Sequence, residues 1–160
     1  MTRFAETISA ASRFANRRGI YAGRRSTRVH AALYRWSKGR LGGYMPGRKS
    51  ARILLLDHTG AKSGTPRTSP LMYVEAGAAV AIAASKAGQP NHPAWYHNLL
   101  AHPDVTIRLD GEVRAVRARI ATGEEYPQLW RSFVAMTPDF EFYREQAGSR
   151  VIPIVVLEPR

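Results

Sequence analysis

The stretch VTIRLDGEVRAVRARI, Val105 to Ile120, decides the fold. Asp110-Gly111 at its centre both tolerate positive φ, which a tight hairpin turn requires. Strand-like segments run on either side, Val105–Leu109 and Glu112–Ile120. In Val113–Ile120, apolar residues alternate with Arg114, Arg117 and Arg119, the pattern of a half-exposed strand. Outward from this hairpin the reading repeats. Ala51–Asp57 is a continuous apolar strand, and Arg67–Glu75 is a second, carrying Leu71, Tyr73 and Val74. Ala78–Ala84 returns across an Ala76-Gly77 turn. Val151–Leu157 closes the set, with Pro153 marking an edge or a bulge. Helices fall between the strands. His92–Leu100 has Pro93 in its first turn. Thr122–Met136 opens on a capping box, Thr122 with Glu125, and carries the apolar stripe Leu129, Trp130, Phe133, Val134. Asp139–Gln146 follows Pro138. Six mostly antiparallel strands with helices in the connections predict an α+β fold around a small barrel.

The chain has 160 residues and 17.8 kDa, enough for one domain with a real core. It has no cysteine, which excludes disulfides, thiolate metal sites and cysteine nucleophiles. No apolar run approaches the ~18 residues that cross a bilayer as a helix. Net charge is +12, and it is unevenly placed. Residues 1–52 hold 13 basic residues against Glu6, whereas residues 53–160 are neutral overall. The expected organisation is therefore a basic, helical segment over 1–50 and a barrel domain over 51–160.

Within the basic segment, Phe4, Ile8, Ala11 and Phe14 or Ala15 recur at helical spacing, as do Val29, Ala32, Leu33 and Trp36. Arg3, Arg13, Arg17, Arg28 and Arg35 lie opposite. Four readings fit: helices on an anionic membrane surface, an organelle transit peptide, a basic arm for nucleic acid, or a helix packed on the domain.

Two loops carry the chemistry. Thr59–Pro70 offers two glycines, Lys62, Arg67 and five hydroxyls, a composition suited to an anion such as phosphate. It is no Walker loop, because no helix follows it, and it would also serve as a plain polar hairpin. Ala84–Asn98 leaves a strand and enters a helix, with Ser85 and Lys86 as further anion ligands. Trp95 and Tyr96 would either flank a planar ring or pack in the core. Asp57 and His58 are neighbours on a strand and diverge. His92, His97 and His102 are ~140° apart on a helix and form no metal face. No hydrolytic carboxylate pair or nucleophile elbow is present. An enzyme of this composition takes its reactive atom from a bound cofactor.

These loops resemble the deazaflavin-dependent nitroreductase family. The resemblance rests on Leu54–Pro70, with Thr-Gly-x-Lys-Ser-Gly-x-Pro-Arg-Thr-x-Pro, and on Ala83–Asn98, with Ala-Ala-Ser-Lys-x-Gly-x-Pro-x-His-Pro-x-Trp-Tyr-x-Asn. Asn98-Leu99, His102–Val105 and the ending Ile152–Glu158 are similar too. The resemblance covers about residues 28–160. It implies a split β-barrel binding coenzyme F420, an 8-hydroxy-5-deazaflavin with a phosphate and a polyglutamate tail. By motif position Ala61, Lys62, Ser63 and Arg67 would meet the phosphate or tail. Thr68, Ser69, Pro70, Ala83, Ala84, Ser85 and Lys86 would line the ring. Ala94, Trp95, Tyr96, His97 and Asn98 would complete the pocket. Ser85 would be the polar donor to the acceptor.

Family members active on nitroimidazoles carry a tyrosine in the second strand and three near the C-terminal helix. Here those positions read Met72, Thr137, Phe140 and Tyr143, so Tyr143 alone is kept. The resemblance therefore implies a cytoplasmic reductase of a quinone or another flat apolar acceptor, peripheral to the membrane through residues 1–50, with no nucleic acid partner. A non-catalytic carrier of the coenzyme or of a lipid, and a flavin-binding reductase on a similar barrel, are the alternatives.

Overall fold

The computed structural model describes residues 24–37, 39, 43–45 and 48–160. The helix expected over Phe4–Ala15 lies outside them. In chain order the elements are α1 (Arg24–Trp36), β1 (Tyr44–Met45), β2 (Arg48–Thr59), β3 (Pro66–Ala76), β4 (Ala79–Ala83), α2 (Ala94–Ala101), β5 (Asp104–Leu109), β6 (Glu112–Ile120), α3 (Glu125–Met136), α4 (Asp139–Ala147) and β7 (Ile154–Pro159). Six strands close a barrel in the order β2-β3-β4-β7-β6-β5, and β5 returns to β2. Every pairing is antiparallel. Closure leaves no barrel strand with a fully open edge. The two-residue β1 adds to the early part of β2.

The Asp110-Gly111 hairpin forms as expected, with φ of +51° and +86°. The turn between β3 and β4 is Gly77-Ala78, one residue later than expected, with φ +66° at Gly77. The last strand starts at Ile154, three residues late. Pro153 lies just outside it, and its carbonyl accepts from the Ala84 N–H at 2.8 Å. The capping box forms only in part. Glu125 accepts from the Thr122 backbone N–H, but α3 begins at Glu125 and no side chain caps it.

The continuous apolar strands bury both faces. Inside the barrel lie Leu54, Leu56, Tyr73, Ile82, Ile107, Val155 and Leu157. Outside, Val74, Ala81, Ile154 and Val156 pack under α3 and α4, against Trp130, Phe133 and Phe140. In β7 the alternation is therefore Ile154 and Val156 outward, Val155 and Leu157 inward, both sides dry.

Helix α1 covers the outer side of β2. Ala31 and Tyr34 pack on Leu55, and the Tyr34 hydroxyl donates to the Arg108 carbonyl at 3.2 Å. This corrects the expected face. The stripe Val29, Leu33 and Trp36 points outward, 60%, 45% and 80% exposed. Arg35, expected on the solvent side, reaches the barrel. Among the described residues no helix is long and apolar enough to cross a membrane.

Leu56 is fully buried at the barrel centre. Leu56→Ala should lower stability by about 2–5 kcal/mol in urea unfolding. The exposed control Arg131→Ala should change it by less than about 0.5 kcal/mol.

Candidate active site

The β2–β3 loop is built on glycine. Gly60 N–H donates to Thr65 O at 2.9 Å, and Gly64, at φ +63°, donates back to Gly60 O at 2.8 Å. A Cβ on Gly60 would stand 2.5 Å from Ser63 Oγ and 3.2 Å from Arg67 Nε. Only glycine lets the Ser63 hydroxyl and the Arg67 guanidinium close over the backbone there. Ala61, Lys62, Ser63 and Arg67 are all exposed. The barrel's other arginines are largely matched by acids: Arg52, Arg108, Arg114, Arg117, Arg119 and Arg160 each pair with a carboxylate. Among the described residues, no carboxylate pairs with Lys62 or Arg67.

A buried polar chain ties this loop to α2. The Ala61 N–H donates to Asn98 Oδ1 at 2.9 Å. Asn98 Nδ2 then faces His58 Nδ1 at 2.9 Å, and His58 Nε2 meets Ser69 Oγ at 3.0 Å. The chain fixes every role. Asn98 must accept from the backbone, so its amide donates to Nδ1, and the His58 proton sits on Nε2 facing Ser69. Asn98 and His58 are each 6% exposed. Burial, then the Arg67 charge, lower the His58 pKa to about 4, with Asp57 opposing. His58 is thus neutral at pH 7, as its acceptor role demands.

Asp57 points the other way, as the strand alternation predicts. It accepts from the Thr68 hydroxyl, from Arg35 Nη2 at 2.9 Å and from Arg108 Nε at 3.0 Å. Arg35 also donates to Thr68 Oγ1 at 2.7 Å. An α1 side chain therefore stands beside Thr68. The outward residues of β3 and β4 at this end are Thr68, Pro70, Met72 and Ala83, while Ser69 turns inward to His58.

The second loop is strained. Ser85 is right-handed, but Lys86, Ala87 and Gly88 follow at φ +46°, +50° and +76°. For Lys86 and Ala87 this costs about 1–2 kcal/mol each. Successive right- and left-handed residues turn their N–H groups to one side, a shape that suits anions. Gly88 sits so close to α4 that a Cβ would stand 2.7 Å from Tyr143 O. The loop is thereby packed at Gly88 against the buried Tyr143 of α4. Arg150 braces the loop, donating to Gln89 O, Ala84 O and Ser85 O at 2.9, 3.2 and 2.7 Å. Ala84 is buried in the barrel core.

Of the α2 residues, Trp95 packs into the barrel core and Asn98 joins the polar chain. Ala94 and His97 are exposed. Tyr96 stands 4.9 Å from the His92 ring and lines an apolar pocket of about 110 Å³ with Leu99, Leu100, Pro103 and Ile120. Among the described residues no His, Asp and Glu converge as metal ligands. Sequence reasoning missed His58, Arg35 and Arg150. Extending the alternation of Leu54 and Leu56 by one step would have placed His58 inside. Nothing local marks Arg150.

The chain matches the family described as F420H(2)-dependent quinone reductase over residues 26–159. A Mycobacterium tuberculosis protein named F420H(2)-dependent quinone reductase is 40% identical over 135 residues, covering 83% of this chain and 89% of that one. A solved structure of an F420-H2 dependent reductase is 39% identical, with TM-score 0.61, over 66% of this chain and 93% of its own. Another, described as a domain-swapped dimer, is 33% identical with TM-score 0.65 and covers 84% of this chain and 96% of its own.

His58 gives the fold a pH dependence. Its folded pKa, about 4, lies below the unfolded 6.5. Below pH 6.5 the unfolded chain binds a proton that the folded one refuses, so stability falls with pH until about 4. The loss between pH 7 and 5 should be roughly 2 kcal/mol. Urea unfolding at both values should show it, and His58→Gln, which cannot titrate, should flatten it.

Proposed function

The chain belongs to the F420H(2)-dependent quinone reductase family, and from that premise we propose that it reduces a quinone-like acceptor with reduced coenzyme F420 held between the β2–β3 loop and the β4–α2 loop. The observation that carries this is the pair Lys62 and Arg67: two exposed cations with no acid partner among the described residues, on a glycine-built loop that Asn98 ties to α2. The donor set fits an anionic coenzyme. Gly60 lets Ser63 and Arg67 close over the loop backbone, and the run Ser85–Gly88 supplies a second anion-favouring turn.

In this reading Lys62, Ser63 and Arg67, with the Ala61 segment, hold the phosphate and the tail. Thr68, Pro70, Ala83, Ser85 and Lys86 border the ring, with Ser69 and Ala84 behind them, Ser69 held inward by His58 and Ala84 packed in the core. Ala94, Trp95, Tyr96, His97 and Asn98 shape the remaining wall, Trp95 and Asn98 from behind through packing and the polar chain. When bound, the coenzyme supplies a hydride to the acceptor. The protein's task is then to align the two rings, exclude water and stabilise developing charge on the acceptor oxygen. Ser85 Oγ is the proposed hydrogen-bond donor to that oxygen, and Tyr143 borders the acceptor side. Beside that hydride the hydroquinone needs one proton, which comes from a hydroxyl or from solvent.

The same proposal puts the enzyme in the cytoplasm with α1 against an anionic membrane face. Its support is the outward stripe Val29, Leu33 and Trp36 on a helix from a strongly basic segment. Apolar acceptors with long tails reside in that membrane. Residues 1–50 would then serve as the anchor and 51–160 as the reductase.

The wild-type protein should oxidise the reduced coenzyme with menadione as acceptor. Lys62→Ala with Arg67→Ala should raise the coenzyme Kd about tenfold to a hundredfold, as loss of charge-assisted bonds implies, with unfolding unchanged. Absence of coenzyme binding by the wild type would overturn the reading. Co-sedimentation with phosphatidylglycerol vesicles should drop when Val29, Leu33 and Trp36 are all replaced by serine. Equal sedimentation of both proteins would sink the membrane role.

A further inference from the structure

The strained loop does not hold itself. Arg150 lies between α4 and β7, some 60 positions along the chain from the loop it organises. Its Nε donates to Gln89 O at 2.9 Å, Nη1 to Ala84 O at 3.2 Å, and Nη2 to Ser85 O at 2.7 Å. Nη1 also meets His92 Nδ1 at 3.1 Å. One planar guanidinium thus gathers three carbonyls and an imidazole from both ends of the Ala84–His92 segment. Its fork places several donors in one plane, which an ammonium cannot copy.

We propose that Arg150 is a positioning residue for the coenzyme, acting through this loop. It rests on the reading above, in which Ser85 and Lys86 border the coenzyme. Two physical effects combine. First, the contacts offset the left-handed conformations of Lys86 and Ala87 and so keep the loop in its anion-favouring turn. Second, Ala84 O, Ser85 O and Gln89 O would otherwise point their negative ends into one region with no cation among them. That would oppose a phosphate or carboxylate arriving alongside. The Ser85 carbonyl also accepts from Gly88 N–H at 3.0 Å, and Lys86 O accepts from Gln89 N–H at 3.1 Å. Those two amides report on the loop directly.

His92 belongs to the same hold. Its Nδ1 faces an Arg150 N–H, so the ring must be neutral there. Burial first, then Arg150 and His97, lower its pKa. His97 is 6.0 Å away and Tyr96 4.9 Å, ring to ring, and Arg150 is the charged group facing it from the α4–β7 segment.

The test uses the full chain as wild type, Arg150→Lys and Arg150→Met. Amide hydrogen exchange of the coenzyme-free proteins is read at Gly88 and Gln89 and at barrel amides such as Ile82 and Val155. Coenzyme F420 Kd is then measured by fluorescence. In both variants, exchange at Gly88 and Gln89 should speed at least tenfold with barrel amides unchanged. Kd should rise about tenfold in Arg150→Lys, which keeps charge but loses the fork, and further in Arg150→Met. Millimolar guanidinium ion should recover part of the affinity of Arg150→Met. Unchanged exchange at the two amides would overturn the hold. Faster exchange with an unchanged Kd would overturn the role in coenzyme positioning. A wild type that does not bind the coenzyme, yet shows the exchange difference, would overturn the site reading and leave Arg150 a loop brace alone.

Discussion

One carboxamide, Asn98, sets the geometry on which the rest of the site depends. It is buried, so both its donor and its acceptor must be satisfied within the protein. It accepts from a backbone N–H of the β2–β3 loop and donates to a histidine on β2, while standing on a helix that continues from the other loop. A surface bond could be exchanged for water at little cost. This one cannot, because breaking it strands Asn98 and His58 together in a dry region. The tie therefore fixes the distance between two loops that lie beyond the end of the β3–β4 pairing, which runs from Ala76 opposite Ala79 to Tyr73 opposite Ile82. It also fixes the His58 tautomer, and through it the orientation of Ser69.

Much of the fold could be read from the chain because its determinants are local. Asp110-Gly111 names its own hairpin, and the apolar runs Ala51–Asp57 and Val151–Leu157 announce strands dry on both faces. Where the reading slipped, the deciding contact was distant. Val151 and Ile152 look like strand, but Pro153 has no N–H for the ladder and its carbonyl is taken by the Ala84 N–H, so β7 starts only at Ile154. The α1 stripe Val29, Leu33, Trp36 has proper helical period, yet period says only that a face exists. Which face docks was decided by what β2 offers. The outward-facing methyls of Leu55 admit small Ala31 and the flat Tyr34 ring, whose hydroxyl then finds the Arg108 carbonyl. Trp36 lies too far around the helix to join them.

The site was legible to a different degree. Composition singled out both loops, although glycine, lysine and hydroxyls in one hairpin also suit a plain polar turn. The bracing was invisible. Arg35, His58 and Arg150 each act across dozens of residues, and each depends on strand parity or on a helix end. The β4–α2 loop shows why such distant braces exist. Left-handed residues that are not glycine persist only where surrounding contacts over-determine them. Here the guanidinium of Arg150 on one side and the close wall of α4 at Gly88 on the other supply that confinement.

Charge follows the same logic of confinement. The barrel domain is neutral overall, yet it is far from uncharged. Arg117 is matched to Asp104, Arg119 to Glu125 and Glu158, and Arg52 to Glu75 and Asp110. Each match is exposed and contributes little to stability alone. Its larger effect is to cancel field. With the strands' cations cancelled, the potential around the barrel is shaped by the cations that lack an acid, and Lys62 and Arg67 are two of these on one hairpin. Asp57, an acid on β2 near that end, is itself held by Arg35, Arg108 and the Thr68 hydroxyl on the outer face. An anion approaching the β2–β3 loop therefore meets the charges of Lys62 and Arg67 with the Asp57 carboxylate already paired. A neutral domain thus presents a directed electrostatic site, which a uniformly basic surface could not do.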